Sequence, residues 1–201
     1  MKKLPISFYD RDDVVLIAQE LIGKVLCTNI DGIITKGIIT ETEAHAGVTD
    51  KASHAYGGKR TNRTEIMFGK AGISYVYLCY GVHSLFNVVT NKQDIPHAVL
   101  VRGIYPLEGV ETVISRRKTK EPLHRIADGP GKLTKGLGIE FRQHNNLDLL
   151  GDSVWIEDHS IEVNASEIEI GPRIGIDYAE EDALLPYRFL HKDPKGRFGK
   201  G

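Results

Sequence analysis

The run Ile73-Ser74-Tyr75-Val76-Tyr77-Leu78-Cys79-Tyr80-Gly81-Val82-His83-Ser84-Leu85-Phe86-Asn87 most constrains the fold. It is rich in aromatic and β-branched residues and is broken at Tyr80-Gly81, the pattern of a β-hairpin with Tyr80 at its tip. Strand periodicity puts Tyr75, Tyr77 and Cys79 on one face and Val76, Leu78 and Tyr80 on the other. A large aromatic beside a turn glycine has little core to enter, so Tyr80 is a candidate wedge or stacking platform.

The elements around this hairpin are short. Residues 10–22 read as a helix: Asp12 or Asp13 can cap it, and Val14, Ile17, Ala18, Leu21 and Ile22 recur at helical spacing. Residues 24–28 and 33–43 read as strands joined at the Asp31-Gly32 turn, with a bulge at Gly37. Residues 46–59 are loop-like, and residues 62–68 form a helical turn. Residues 98–105 predict a strand, residues 106–117 a helix starting at Pro106 or Glu108, and Gly129-Pro130-Gly131-Lys132 opens a second helix that ends at Gly138. Three short strands follow at 154–156, 161–163 and 168–170. The fold class is α+β: one domain over residues 1–193, a mostly antiparallel curved sheet with short helices around it and a protruding hairpin. Residues 194–201, rich in Lys and Gly, read as a disordered basic tail.

Charge is unevenly spread. Asp152 to Asp182 holds ten acidic residues against Arg173 alone, a balance of −9 that leaves +8 for the rest of a chain with net charge −1. Basic clusters lie at Lys59-Arg60 with Arg63, at Arg116-Arg117-Lys118 with Lys120, and along the tail from Arg188. This asymmetry permits a basic surface facing phosphates, and it equally fits solvated faces. No apolar run reaches bilayer length, and the two cysteines, Cys27 and Cys79, sit in strand-like runs. No membrane association is expected, and the cytoplasm is the expected compartment.

Glu43 ends an otherwise apolar strand. Burial there would raise its pKa and suit it to general acid or base work; a surface strand end is the alternative. His45 and His54 follow it, and their spacing matches no standard zinc motif. They read better as pocket walls than as metal ligands, and no metal or cofactor is expected. Asn87 and Arg102 are polar residues inside apolar strands, so each is expected to bond to protein or ligand. Gly129-Pro130-Gly131-Lys132 could meet a phosphate, but it lacks the full nucleotide-loop pattern.

Taken in order, Glu41-Thr42-Glu43-Ala44, Ala52-Ser53-His54-Ala55-Tyr56-Gly57-Gly58, Thr61-Asn62-Arg63 with Met67-Phe68, the hairpin with Asn87, Val99-Leu100-Val101-Arg102, Gly129-Pro130-Gly131-Lys132-Leu133 and Pro172-Arg173-Ile174-Gly175-Ile176 resemble the alkyladenine (3-methyladenine) DNA glycosylases of the mammalian type. The resemblance covers nearly the whole chain. It implies a monomeric, monofunctional enzyme that flips alkylated or deaminated purines out of double-stranded DNA and hydrolyses the glycosidic bond. A bacterial, nucleoid-associated setting goes with that reading. The resemblance makes Glu43 the residue that activates the attacking water. It gives the base pocket to His45, His54 (through its backbone N–H), Tyr77, Asn87 and Ile174, the stacking gap to Tyr80, and a phosphate contact to Arg102. The acidic stretch from Asp152 would then face away from DNA.

One position departs from the pattern: His45 stands where the family usually has tyrosine. Imidazole has a smaller face and an ordinary pKa near neutrality. A charged His45 would repel a cationic base and shift preference toward neutral lesions such as hypoxanthine. Two other classes remain open on sequence alone, a non-catalytic binder of flipped or single-stranded bases and a nucleoside hydrolase.

Overall fold

Asp31 and Gly32 both take left-handed backbone (φ 55° and 76°), the geometry that lets a tight turn follow strand twist. In the computed structural model, which describes residues 1–199, this turn joins β2 (Val25–Ile30) to β3 (Ile33–His45) with Ile30 opposite Ile33. The chain enters through β1 (Lys2–Lys3), α1 (Ile6–Tyr9) and α2 (Val14–Glu20). The Asp13 side chain accepts from Leu16 N and so starts α2 later than position 10. The hairpin follows as β4 (Ser74–Cys79) and β5 (His83–Thr90), then β6 (His97–Glu108), α3 (Val110–Arg117), α4 (Pro130–Leu137) and α5 (Phe141–His144). β7 (Val154–Asp158), β8 (Ile168–Gly171), β9 (Arg188–His191) and α6 (Pro194–Phe198) complete the order.

The strands form one antiparallel sheet ordered β1-β7-β2-β3-β6-β5-β4. β9 adds to β3 beyond the end of β2, at Glu41 to Glu43, and carries β8. The α+β expectation holds, but several boundaries differ. Pro106 lies in β6 opposite Gly37, at the bulge expected there. β5 pairs with β6 only as far as Leu100, so the missing N–H of Pro106 breaks no ladder. Residues 161–163 are not a strand, whereas β9 was not anticipated, because four residues carry too little periodicity. Pro194–Phe198 is a helical turn capped by Asp193 where a disordered tail was expected, and the tail's Lys200 and Gly201 lie outside the described residues.

A second bulge decides the site. The β3–β6 register shifts between Ile39 and Glu41. One extra residue reverses which face each later side chain takes. Ile39 and Ala44 therefore both reach the main core, and the Thr42 hydroxyl donates to Ala18 O at 2.7 Å. Glu41, Glu43 and His45 are turned to the opposite face. The neighbours alternate in step. Val76, Phe86, Val88, Val99 and Val101 pack in that core with Ile17 and Leu21 of α2 and Leu133 and Leu137 of α4. Tyr75, Asn87, Leu100 and Arg102 take the other side, lining a cavity of about 450 Å³.

Candidate active site

Sheet register lays the site out as a row. Glu43 is opposite Leu100, Leu100 opposite Asn87, and Asn87 opposite Tyr75. Glu43 and Asn87 are thus two strand spacings apart, about 10 Å, so a flat bicyclic ring fits between them. Glu43, His45, His54, Tyr77, Tyr80, Asn87, Arg102 and Ile174, all selected from sequence, border this one cavity.

Glu43 is 1% exposed. Its Oε1 accepts from Ile174 N at 2.8 Å and lies 3.4 Å from Arg102 Nε. Both contacts fall on Oε1, leaving Oε2 for a water or ligand. Burial pushes the Glu43 carboxyl above the ordinary carboxylate range, against the opposing pull of Arg102 and the Ile174 amide. A strand-end carboxylate held this way is a buried, anchored group rather than a solvated surface one.

Arg102 is engaged on the protein side. Its Nε also donates to Glu41 Oε1 at 3.1 Å, and Arg188 Nε of β9 reaches the same oxygen at 2.5 Å. Two arginines and two glutamates thus balance beneath the cavity. Among the described residues only Nε of Arg102 is bonded, so its terminal nitrogens are free for an anion.

Asn87 Nδ2 donates to Tyr75 O at 3.0 Å, which fixes the carboxamide and leaves its oxygen to the cavity. Tyr77 has the His54 ring edge-on at 4.7 Å and the Arg63 guanidinium 4.9 Å from its centroid. Tyr80 is 94% exposed with φ 51°. An aromatic held in left-handed backbone at a bare hairpin tip packs against nothing of its own chain.

Sequence reasoning missed the support beneath these groups. Arg173 is fully buried and donates twice to Asp50, at 2.5 and 2.8 Å, and to Ala44 O at 2.9 Å. That anchor holds the turn whose next residue, Ile174, presents its N–H to Glu43. The available signal was Arg173 itself, the only base in a long acidic stretch. The stretch is largely compensated: Lys3 pairs with Asp152, Lys24 with Asp158, Lys36 with Glu157, and Lys51 with Glu180 and Glu181. Its Tyr178 nevertheless reaches the cavity rim.

The family profile described as Methylpurine-DNA glycosylase matches residues 7–195. The chain belongs to the methylpurine-DNA glycosylase family. A Chlamydia felis relative is 47% identical over 188 residues, 93% of this chain and 95% of its own. A relative from Clostridium perfringens strain 13 is 44% identical over 196 residues, 94% of this chain and 95% of its own. One from Bacillus cereus strain G9842 is 43% identical over 197 residues, with the same coverage. All three are provisionally named 3-methyladenine DNA glycosylases. The methylpurine-DNA glycosylase match includes every residue that lines the cavity.

The histidine at position 45 is not a cationic wall. Arg173 Nη1 lies 3.4 Å from His45 Nδ1. Both Nη1 protons of Arg173 already go to Asp50 and Ala44 O, so the contact sets a cation against the ring rather than a tautomer. Burial, then the Arg173 charge, lowers the His45 pKa to about 4. His54 is the counterpart. Its Nε2 faces Arg63 Nη2 at 3.4 Å and its Nδ1 meets the Tyr75 hydroxyl at 2.9 Å. Burial, then Arg63, lowers its pKa to about 4. The charge repulsion expected from sequence at His45 is therefore absent at neutral pH, and with it the electrostatic ground for a preference for neutral lesions.

The unfolded chain takes up two protons between about pH 6.5 and about pH 4 that the folded chain refuses. These histidines therefore make stability fall as pH drops through that window. Side-chain ¹⁵N NMR at about pH 6 is expected to show both rings neutral, with His54 protonated on Nδ1. A ring titrating at its ordinary value would refute the assignment.

Proposed function

We propose that this protein is a monofunctional DNA glycosylase that flips alkylated or deaminated purines, of the 3-methyladenine, 7-methylguanine and hypoxanthine type, out of duplex DNA. It hydrolyses the N-glycosidic bond and leaves an abasic site. The observation that carries the reading is the pairing of a cavity one purine wide, with a buried carboxylate at one end, and a bare tyrosine on the hairpin forming its wall.

Each part has a physical task. A base inside a duplex cannot be reached until it leaves the stack, and Tyr80 fills the gap and offsets part of that cost. Tyr77 and the neutral His45 ring sandwich the flipped base, and the His54 backbone N–H meets its edge. The fixed Asn87 carboxamide crowds the exocyclic amino group that distinguishes guanine. Ile174 closes the site, and the free nitrogens of Arg102 take a phosphate. Glu43, through Oε2, deprotonates the attacking water and stabilises the oxocarbenium-like sugar. A methylated purine already carries positive charge and leaves without an acid, so for that class one carboxylate suffices. Among the described residues no lysine lines the cavity, which supports hydrolysis by water without strand cleavage.

Incubation with duplex containing 7-methylguanine or hypoxanthine is expected to release free base and leave abasic sites that break only on alkali treatment. Intact glycosidic bonds would leave the protein a damaged-base binder. Tyr80→Ser is expected to lower excision from duplex by at least tenfold while sparing a single-stranded substrate, where no stack has to be opened. Equal activity on both would favour a nucleoside hydrolase.

A further inference from the structure

The hairpin has a second side. A groove of about 450 Å³ runs between it and the α4–α5 segment, lined by Leu78, Val82 and His83 of the hairpin and by Lys135, Glu140 and Arg142 opposite. Leu78 lines both this groove and the base cavity, so the hairpin is the partition between them. We propose that the groove seats the phosphate backbone of the DNA strand opposite the flipped nucleotide. The proposal rests on the glycosylase reading and adds where the second strand goes.

The geometry comes from the wedge. In the wedge reading it is the Tyr80 side chain at the tip, not the body of the hairpin, that enters the minor groove. A tip entering there has one DNA strand on each side. The strand that delivers its nucleotide to the Glu43 cavity lies on that side, which leaves the other strand to the groove. Val82, 73% exposed beside Tyr80, offers an apolar edge to sugars.

Charge points the same way. Several cations near or within the basic clusters of the sequence are committed within the protein. Arg60 pairs with Glu65 and Asp94, Arg117 with Glu121, Lys132 with Glu121 and Asp128, and Arg197 with Glu167. Lys135 and Arg142 are exposed and, among the described residues, form no ion pair. One carboxylate, Glu140, shares the groove, so two cations outweigh it.

The floor is also rigid. Thr134 Oγ1 donates to Ser84 O at 2.6 Å, and Phe141 N donates to Ser84 Oγ at 3.0 Å, strapping α4 and α5 to β5 near the tip of the hairpin. A Cβ on Gly131 would come within 3.2 Å of the His83 side chain, so α4 approaches the hairpin closely. The two cations are therefore carried at a set distance from Tyr80.

The test is the salt dependence of binding, measured with Lys135→Ala/Arg142→Ala on duplex and on single-stranded DNA of the same lesion. Each lost phosphate contact lowers the slope of log K against log salt by about 0.9 on duplex, so the double variant is expected to lower it by about 2. Single-strand binding is expected to stay unchanged, as is single-turnover excision at saturating enzyme. Glu140→Gln is expected to tighten duplex binding without changing single-strand binding. An unchanged duplex slope would overturn the proposal. An equal loss on single strands would also overturn it, because the cations would then serve the lesion strand. Failure of the glycosylase reading shows separately, as absent base release by the unaltered protein.

Discussion

Glu43→Gln is expected to slow base release on the order of 10²–10⁴-fold, the range that a positioned general base supplies, while lesion binding stays near the unaltered level. The glutamine keeps an oxygen for the Ile174 amide, which Glu43 accepts at 2.8 Å, but it cannot take a proton from water. Stability should hold or rise. The Glu43 carboxyl is raised by burial above its ordinary range, so its charged form is less comfortable folded than unfolded at neutral pH, and the neutral amide relieves that. The same shift sets the pH profile. The base works only when deprotonated, so the acid limb of single-turnover release should lie above the ordinary carboxylate pKa. Single-turnover excision of 7-methylguanine, with lesion binding measured alongside, decides the matter. Retained turnover would remove Glu43 from its role, and lost binding would make it a binding group instead.

Asp50→Ala is expected to destabilise the fold by about 3–5 kcal/mol, the cost of leaving a buried partner charged and alone. In a chain of this length that lowers Tm by about 6–20 °C. The reason is local. Asp50 receives two bonds from Arg173 and also accepts from the backbone N–H groups of Ala46 and Ala52 at 2.9 and 3.0 Å. Arg173→Lys should recover little, because an ammonium cannot make the two-pronged contact. Asp50→Leu/Arg173→Met removes both charges and is expected to regain much of the lost Tm. It should not regain activity, since the turn that brings Ile174 to Glu43 loses its anchor. Thermal unfolding and single-turnover excision on the same variants separate these effects. Recovery of both would reduce the pair to structural support, and recovery of neither would place it in the folding core.

The sequence was most legible where a period or a turn leaves a local mark. The hairpin, the Asp31-Gly32 turn, the Asp13 cap and the Gly37 bulge are all read from neighbours in the chain, because each depends on backbone conformations that few residue types tolerate. It was least legible where partners are distant. β9 is too short to show a period and exists because β3 offers an open edge beyond β2. β6 runs through Pro106 because no strand on its β5 side needs that N–H. Residues 161–163 alternate like a strand but find no edge.

The candidate site divides the same way. Residue types singled out Glu43, His45, His54, Tyr77, Tyr80, Asn87 and Arg102, since a carboxylate, flat rings and an exposed aromatic suit few tasks together, and the family resemblance added Ile174. Only the tertiary structure decided that Glu43 turns to the cavity, through a one-residue bulge invisible in composition. It also set the lowered pKa of His45, through burial first and then through Arg173, 128 positions away in sequence. Local chemistry is written residue by residue, whereas protonation and facing are set by whatever folding brings within a few ångströms.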